Sequence, residues 1–250
     1  MLLSSKDVAL VTGGAQGVGK GIARLLAAEG AREAVGDVNG ALAKEVASQI
    51  AAEAECDALD IRSEAEIGAA VRTRRARLGT VSILVNNAGL YLGRPLLDMT
   101  REDLEKVFAV NVTGMFLNAR AVGRLMAEQW RGRIVNISSC SARKPDPGPV
   151  AYNASKSAIV GLTRVTALEL GPLSGTCNAV LPGTTFDTEM TWSSQRRQGR
   201  GVEPDAQGST RAALRERRLA HTAFHRERPH PRLPVGTHPL GHFEQGGLRA

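Results

Sequence analysis

The sequence predicts an α/β fold, a doubly wound parallel sheet with helices on both faces, in a single domain followed by an atypical C-terminal tail. Three observations predict it. Short continuous apolar runs, the mark of strands buried on both faces, alternate with segments of helical apolar spacing. A glycine-rich turn joins the first run to the first helix, and an aspartate closes the second run about 20 residues further on. At 250 residues the chain is long enough to bury one sizeable core.

Val8-Ala9-Leu10-Val11 reads as the first strand. It runs into Thr12-Gly13-Gly14-Ala15-Gln16-Gly17-Val18-Gly19 and a helix over 20–29 with Ile22, Leu25 and Leu26 at helical spacing. Glycines let the backbone approach a pyrophosphate, and the helix N-terminus offers it unpaired N–H groups. Gly30-Ala31 closes that helix, and a second strand, Glu33-Ala34-Val35-Gly36, ends in Asp37. An acid there is placed to bind a ribose 2′-hydroxyl and to repel a 2′-phosphate, and the turn carries no Arg or Lys, so the reading is NAD rather than NADP.

A helix follows over 41–54, then a third strand over 56–61 with Asp60 at its end. The segment 63–78 opens on a capping box, Ser63 with Glu66, and its arginines read as a solvated helix face. The fourth strand, 81–85, leads into Asn86-Asn87-Ala88-Gly89. Helices over 100–109 and 111–130, a fifth strand over 133–139, a helix from Tyr152 to Leu170 and a sixth strand over 176–181 capped by Pro182-Gly183 complete the alternation. Ligands are expected at the carboxyl ends of such strands.

Tyr152-Asn153-Ala154-Ser155-Lys156 is the stretch with the most chemistry. On a helix, positions 152 and 156 stand one turn apart on the same face. An ammonium beside a phenol favours phenolate, so Tyr152 is expected to titrate below its usual range and to serve as an acid and base. The pentapeptide alone equally fits a surface Tyr and Lys that share a face by chance.

Six motifs in order carry a resemblance across residues 1 to 190: Thr12-Gly13-x-x-x-Gly17-x-Gly19, Asp60, Asn86-Asn87-Ala88-Gly89, Asn111, Ser139 followed thirteen residues later by Tyr152-x-x-x-Lys156, and Pro182-Gly183. They resemble the classical short-chain dehydrogenases/reductases, Rossmann-like NAD(P)-dependent enzymes acting on CH–OH groups. The resemblance implies that Ser139 binds the substrate oxygen, Tyr152 transfers the proton, Lys156 lowers the Tyr152 pKa and holds the nicotinamide ribose, and Asn111 holds a water by kinking its helix. It implies a cofactor set of Gly13, Gln16, Gly17, Val18, Gly19, Asp37, Asp60, Ile61, Asn87, Ala88, Gly89, Tyr152, Lys156, Pro182, Gly183 and Thr188. Asp60 would face the adenine, and Thr188, displaced by one residue from the family pattern, competes with Thr184 and Thr185 for the nicotinamide amide. Successive strand residues point to opposite faces, so only one of Ser138 and Ser139 can face the nicotinamide, and the thirteen-residue spacing to Tyr152 in the resemblance selects Ser139. The expected reaction moves a hydride between a secondary alcohol or cyclic diol and NAD. The rival expectation is a catalytically impaired nucleotide-binding protein that has lost its substrate lid.

The formal net charge of +7 belongs to the tail: residues 1–190 hold 21 basic and 20 acidic side chains, and residues 191–250 hold 11 and 5. The tail contains all five histidines, five prolines and no Lys, Asn, Ile, Tyr or Cys, and the family's closing strand is not recognisable in it. It reads as a disordered segment or as GC-rich DNA translated in a shifted frame, and it leaves the sixth strand as a sheet edge. Few aromatics accompany its arginines, which argues against nucleic acid. Cys56, Cys140 and Cys177 have no metal-ligand spacing and read as free thiols, with Cys140 a small buried hydrophobe. No apolar run spans a bilayer and no leader pattern precedes Val8, so the expectation is a cytoplasmic protein, a homo-oligomer by its family, acting on a small alcohol or ketone.

Overall fold

The structure, a computed structural model, describes residues 3–50 and 54–183. Thr188, its rivals and the tail lie outside them. Six parallel strands form one sheet in the order β3-β2-β1-β4-β5-β6: β1 (Val8–Thr12), β2 (Arg32–Asp37), β3 (Glu55–Ala58), β4 (Ile83–Asn86), β5 (Gly132–Ile137) and β6 (Gly175–Val180). The helices are α1 (Gly17–Ala28), α2 (Gly40–Ile50), α3 (Glu64–Arg77), α4 (Arg101–Phe108), α5 (Met115–Glu128) and α6 (Val150–Leu170). Every β1 residue is buried, and side-chain alternation feeds two cores. Leu10, Leu84 and Ile134 join one core, with Ile67 and Val71 of α3 and Val122 of α5. Ala9, Val11, Val35 and Val85 join the other, with Ile22 and Leu26 of α1 and Val46 of α2. The fold is therefore doubly wound, and the chain reverses direction across the sheet between β1 and β4, which opens a crevice at their carboxyl ends.

Four details depart from the sequence reading. The strand β3 stops at Ala58, because Leu59 turns in over Gly36 and donates its N–H to Asp37 O at 2.9 Å. Ser63 caps α3 by accepting from Glu66 N at 3.2 Å, but Glu66 reaches back to Asp60 N at 2.8 Å instead of closing the reciprocal box. Arg74 of that helix is fully buried, paired with Asp57, while Arg72, Arg75 and Arg77 stay exposed. The expected helix over 111–130 begins in a π-turn, Ala109–Gly114, continuous with α4 and α5.

Candidate active site

The turn between β1 and α1 is shaped by what its glycines lack. Gly13 and Gly17 adopt left-handed φ of +61° and +52°, and a Cβ on Gly19 would stand 2.1 Å from Gly13 O. Only bare backbone fits there. Gln16 heads α1 without a side-chain cap, which leaves the first N–H groups of the helix to an incoming anion. Val18 packs its side chain partly into the core, so backbone is what it presents to the turn. Thr12 Oγ1 accepts from Asn87 N and Ala88 N at 3.1 and 3.2 Å, and Asn87 Nδ2 donates to Thr12 O and Gly13 O at 3.1 and 2.9 Å. These bonds lace the end of β4 to the turn. Asp37 accepts from Ala15 N at 3.2 Å and Asn39 N at 3.0 Å, which holds its carboxylate at the crevice edge.

On the far wall, Asp60 is gripped by Arg62, whose Nε and guanidinium reach both carboxylate oxygens at 2.6 to 3.0 Å. That hydrogen bonding holds the Asp60 carboxyl below its ordinary range. Ile61 turns its side chain away from solvent into the core, so it has only its backbone for a nucleotide.

The side chains with acid/base chemistry converge on the opposite side of the crevice. Ser139, just past β5, stands beside the Tyr152 phenol and accepts from Ser141 N at 3.2 Å, whereas the neighbouring Ser138 is buried and donates to Lys156 O at 2.7 Å. Alternation thus turns Ser139 towards Tyr152 and Ser138 into the packing of α6. Lys156 is 4 % exposed, donates Nζ to Ile137 O at 2.8 Å and stands 5.5 Å from the centroid of the Tyr152 ring. Burial depresses its ammonium to about 8. Burial also pushes the Tyr152 phenol up; the Ser139 hydrogen bond pulls it down, and the nearby Cys140 and Tyr91 raise it further. The expected downward shift is thus absent from this site: Lys156 directs its proton at a carbonyl, and desolvation of the phenol dominates.

Asn111 lies in the π-turn, 1 % exposed, and braces Leu90 from both sides, accepting from its N–H at 2.7 Å and donating to its carbonyl at 2.9 Å. It also donates to Ser155 Oγ at 2.9 Å, and Ser155 donates to Tyr152 O at 2.7 Å. A Cβ on Gly89 would stand 3.4 Å from Asn111 Oδ1 and 3.5 Å from Lys156 Nζ, so these two groups meet over that glycine. Pro182 O accepts from Cys140 N at 2.8 Å, which ties the segment after β6 to the serine loop, and Gly183 follows it. Cys140 is exposed, contrary to expectation, because it begins the short turn that leaves β5.

Two participants escaped the sequence reading. Tyr91 packs edge-on to Tyr152 with ring centroids 5.1 Å apart, and nothing in its spacing announces this. Ser155 sits three residues after Tyr152 on the same helix face, a spacing that could have marked it. An open cavity of about 800 Å³, lined by Pro95, Leu96, Leu97, Pro147, Val150 and Asn153, lies on the other side of α6 from Tyr152 and Lys156.

A phosphate-cradling turn at the switch point, joined to a Ser, Tyr, Lys and Asn constellation, defines an oxidoreductase of the dinucleotide-binding class. The comparisons are specific: the short chain dehydrogenase family matches residues 7–199, and the chain belongs to it. It is 38% identical over 201 residues, 79% of this chain and 77% of the relative, to a 3-alpha-(or 20-beta)-hydroxysteroid dehydrogenase of Mycobacterium bovis. It is 40% identical to the L-2,3-butanediol dehydrogenase of Corynebacterium glutamicum, with 70% of each chain covered. Among solved structures it resembles a 3-ketoacyl-(acyl-carrier-protein) reductase from Brucella melitensis complexed with NADH, with TM-score 0.72 and 31% identity over 86% of this chain and 92% of the other. Among the described residues no helix is long and apolar enough to cross a membrane.

Proposed function

We propose that this chain is an NAD-dependent alcohol dehydrogenase for secondary alcohols or cyclic diols, with Tyr152 as acid and base. The observation that carries the reading is the meeting of Ser139, Tyr152, Lys156 and Asn111 across the crevice from a turn into which only bare backbone fits. The residues present suit a nicotinamide dinucleotide. Gly13, Gly17 and Gly19 leave room for a pyrophosphate, Gln16 and Val18 border it with backbone, and Asp37 meets the adenosine ribose and disfavours a 2′-phosphate. Asp60, Ile61, Asn87, Ala88 and Gly89 would line the adenosine side, and Pro182 and Gly183 the nicotinamide side. Such a group, when bound, supplies the hydride acceptor.

The chain's own residues do the rest. Ser139 holds the substrate oxygen, and Tyr152 Oη, as phenolate, takes the hydroxyl proton while the carbinol carbon gives up its hydride. A cation beside the phenol favours that phenolate, and Lys156, depressed by burial to about 8 and one helical turn from Tyr152, is the group placed to provide it. Asn111 keeps Leu90 and Ser155 in place behind the pair. The shared surface of a homo-oligomer and a cytoplasmic setting complete the proposal.

The competing reading, nucleotide binding without turnover, draws on the raised Tyr152 phenol. NADH formation at mildly alkaline pH, with NAD and NADP compared over a panel of secondary alcohols, polyols and cyclic diols, separates the two. Tyr152→Phe is expected to reduce turnover by about a thousandfold, within the span of acid/base catalysis, and to leave the Kd for NADH within about twofold. Equal turnover in parent and variant refutes the role of Tyr152; NADH binding without turnover in the parent favours the competing reading.

A further inference from the structure

Gly114 closes the π-turn that carries Asn111, and it is buried. A Cβ added there would stand 2.7 Å from Ile61 Cδ1, 2.8 Å from Ile61 Cγ1 and 3.1 Å from Ile61 O. Those separations are below contact distance, so the Ile61 side chain already lies flush against the Gly114 backbone. Ile61 is 5 % exposed and held in the core, with little space into which to yield. The Gly114 carbonyl is engaged as well, accepting from Asn118 Nδ2 at 2.9 Å. The same Ile61 belongs to the loop that follows Asp60 on the adenosine wall of the crevice.

We infer that Ile61 is a positioning residue for Asn111, acting through its seat on Gly114, so that the adenosine wall and the proton-handling side of the site share one packed joint. The inference rests on the dehydrogenase reading for its kinetic consequence, though not for its geometry. A π-turn carries an extra residue per turn and is a local alternative to regular helix, so what is packed against it decides which form persists. Ile61 packs where a side chain on residue 114 would otherwise project. The turn so held presents Asn111 to Leu90 and Ser155. Shifting Gly114 would move Asn111, three residues before it on the same turn, relative to Leu90 and Ser155, whose bonds to it of 2.7 to 2.9 Å would then lengthen and weaken.

Reciprocal variants test this. Gly114→Ala forces the turn away from Ile61, and Ile61→Ala leaves it unsupported, so each alone is expected to lower kcat by about tenfold. The pair is expected to be more active than either single variant, because the new methyl occupies the vacated space. The pH profile of kcat should move in the single variants and return in the double, while KM for NAD changes less than kcat. Protection of the Leu90 N–H, read by hydrogen exchange, should follow the same order, and it needs no turnover. If the parent oxidises no alcohol, the dehydrogenase reading fails and Leu90 protection still decides the joint. A double variant no better than the worse single one, in protection or kcat, overturns the inference. Should Gly114→Ala not fold, Ile61→Ala alone decides: unchanged Leu90 protection and an unchanged pH profile refute the joint.

Discussion

On the β1, β2 and β3 side of the sheet, the groups that border the crevice are chiefly backbone: the carbonyls of Thr12 and Gly13, the N–H of Ala15, and the bare Gly19 backbone packed against Gly13 O. On the β4, β5 and β6 side they are side chains: Ser139, Tyr152, Lys156 and Asn111. The interiors differ too. Behind β4 and β5 runs a connected neutral network, in which Asn86 donates to Asn136 at 2.9 Å, Asn136 to Thr163 at 2.9 Å and Thr163 to Ile159 O at 2.7 Å. Behind β2 and β3 the buried polar groups are charges, with both Glu33 carboxyl oxygens lacking a hydrogen-bond partner and Arg74 ion-paired with Asp57. A half that holds a ligand with backbone needs small residues and close approach. A half proposed to perform acid/base chemistry needs fixed side chains, and neutral hydrogen bonds fix them at less electrostatic cost than buried charges, even with Asn86 Oδ1 left unpartnered.

The largest effect expected from breaking the first half is at Gly19. Gly19→Ala places a methyl against Gly13 O, a backbone atom that moves only if the whole turn moves. Loss of NADH affinity by about a hundredfold or more is expected, measured by fluorescence titration, with thermal stability also reduced. An unchanged Kd would show that the turn does not receive the pyrophosphate.

The second half should separate chemistry from packing at adjacent residues. Ser139→Ala removes the hydroxyl that meets Tyr152, so kcat should fall by about a hundredfold at nearly constant Tm. Ser138→Ala instead frees the buried Lys156 carbonyl, at a cost of about 1 to 2 kcal/mol in denaturant unfolding and with a smaller effect on turnover. Exchanged outcomes would mean that the sheet places the other serine in the site.

How much of this was legible follows from the same contrast. The glycine turn could be read directly, because absent side chains and left-handed φ leave a mark on composition, and Asp37 follows at a fixed distance. The central strands β1 and β4 could be read because both of their faces are buried. The proposed catalytic set was legible only through motif resemblance, since Asn111, Ser139 and Tyr152 come from separate elements. The π-turn was legible only as the kink that the resemblance implies at Asn111, since its residues read as ordinary helix, and Tyr91 was invisible because its partner is 61 positions away in the chain. The direction of the Tyr152 shift was misjudged because sequence reports the neighbouring Lys156 and not the desolvation that outweighs it. Buried Arg74 was missed for a similar reason: its surroundings in α3 are arginine-rich and its acidic partner lies on β3.

The smallest effect, and the sharpest on the contrast of interiors, is at Glu33. It stands beside Ala9 in the β1–β2 register, 1 % exposed, with both carboxyl oxygens unbonded. Burial raises its carboxyl well above the ordinary range, and the Coulomb attraction of Arg74 offsets this only in part. In the unfolded chain the group titrates near its reference value of about 4.3. From there up to the raised folded value, the folded state binds more protons than the unfolded one, so stability falls as pH rises through that window. Glu33→Val suits a buried central strand and removes the titration. It is expected to raise stability at pH 7.5 by about 1 to 3 kcal/mol in urea unfolding, a gain that shrinks steadily towards pH 4. Destabilisation by the valine, or a difference that ignores pH, would show that Glu33 is paired with Arg74 after all, and that the contrast between the two interiors does not rest on an unpaired charge.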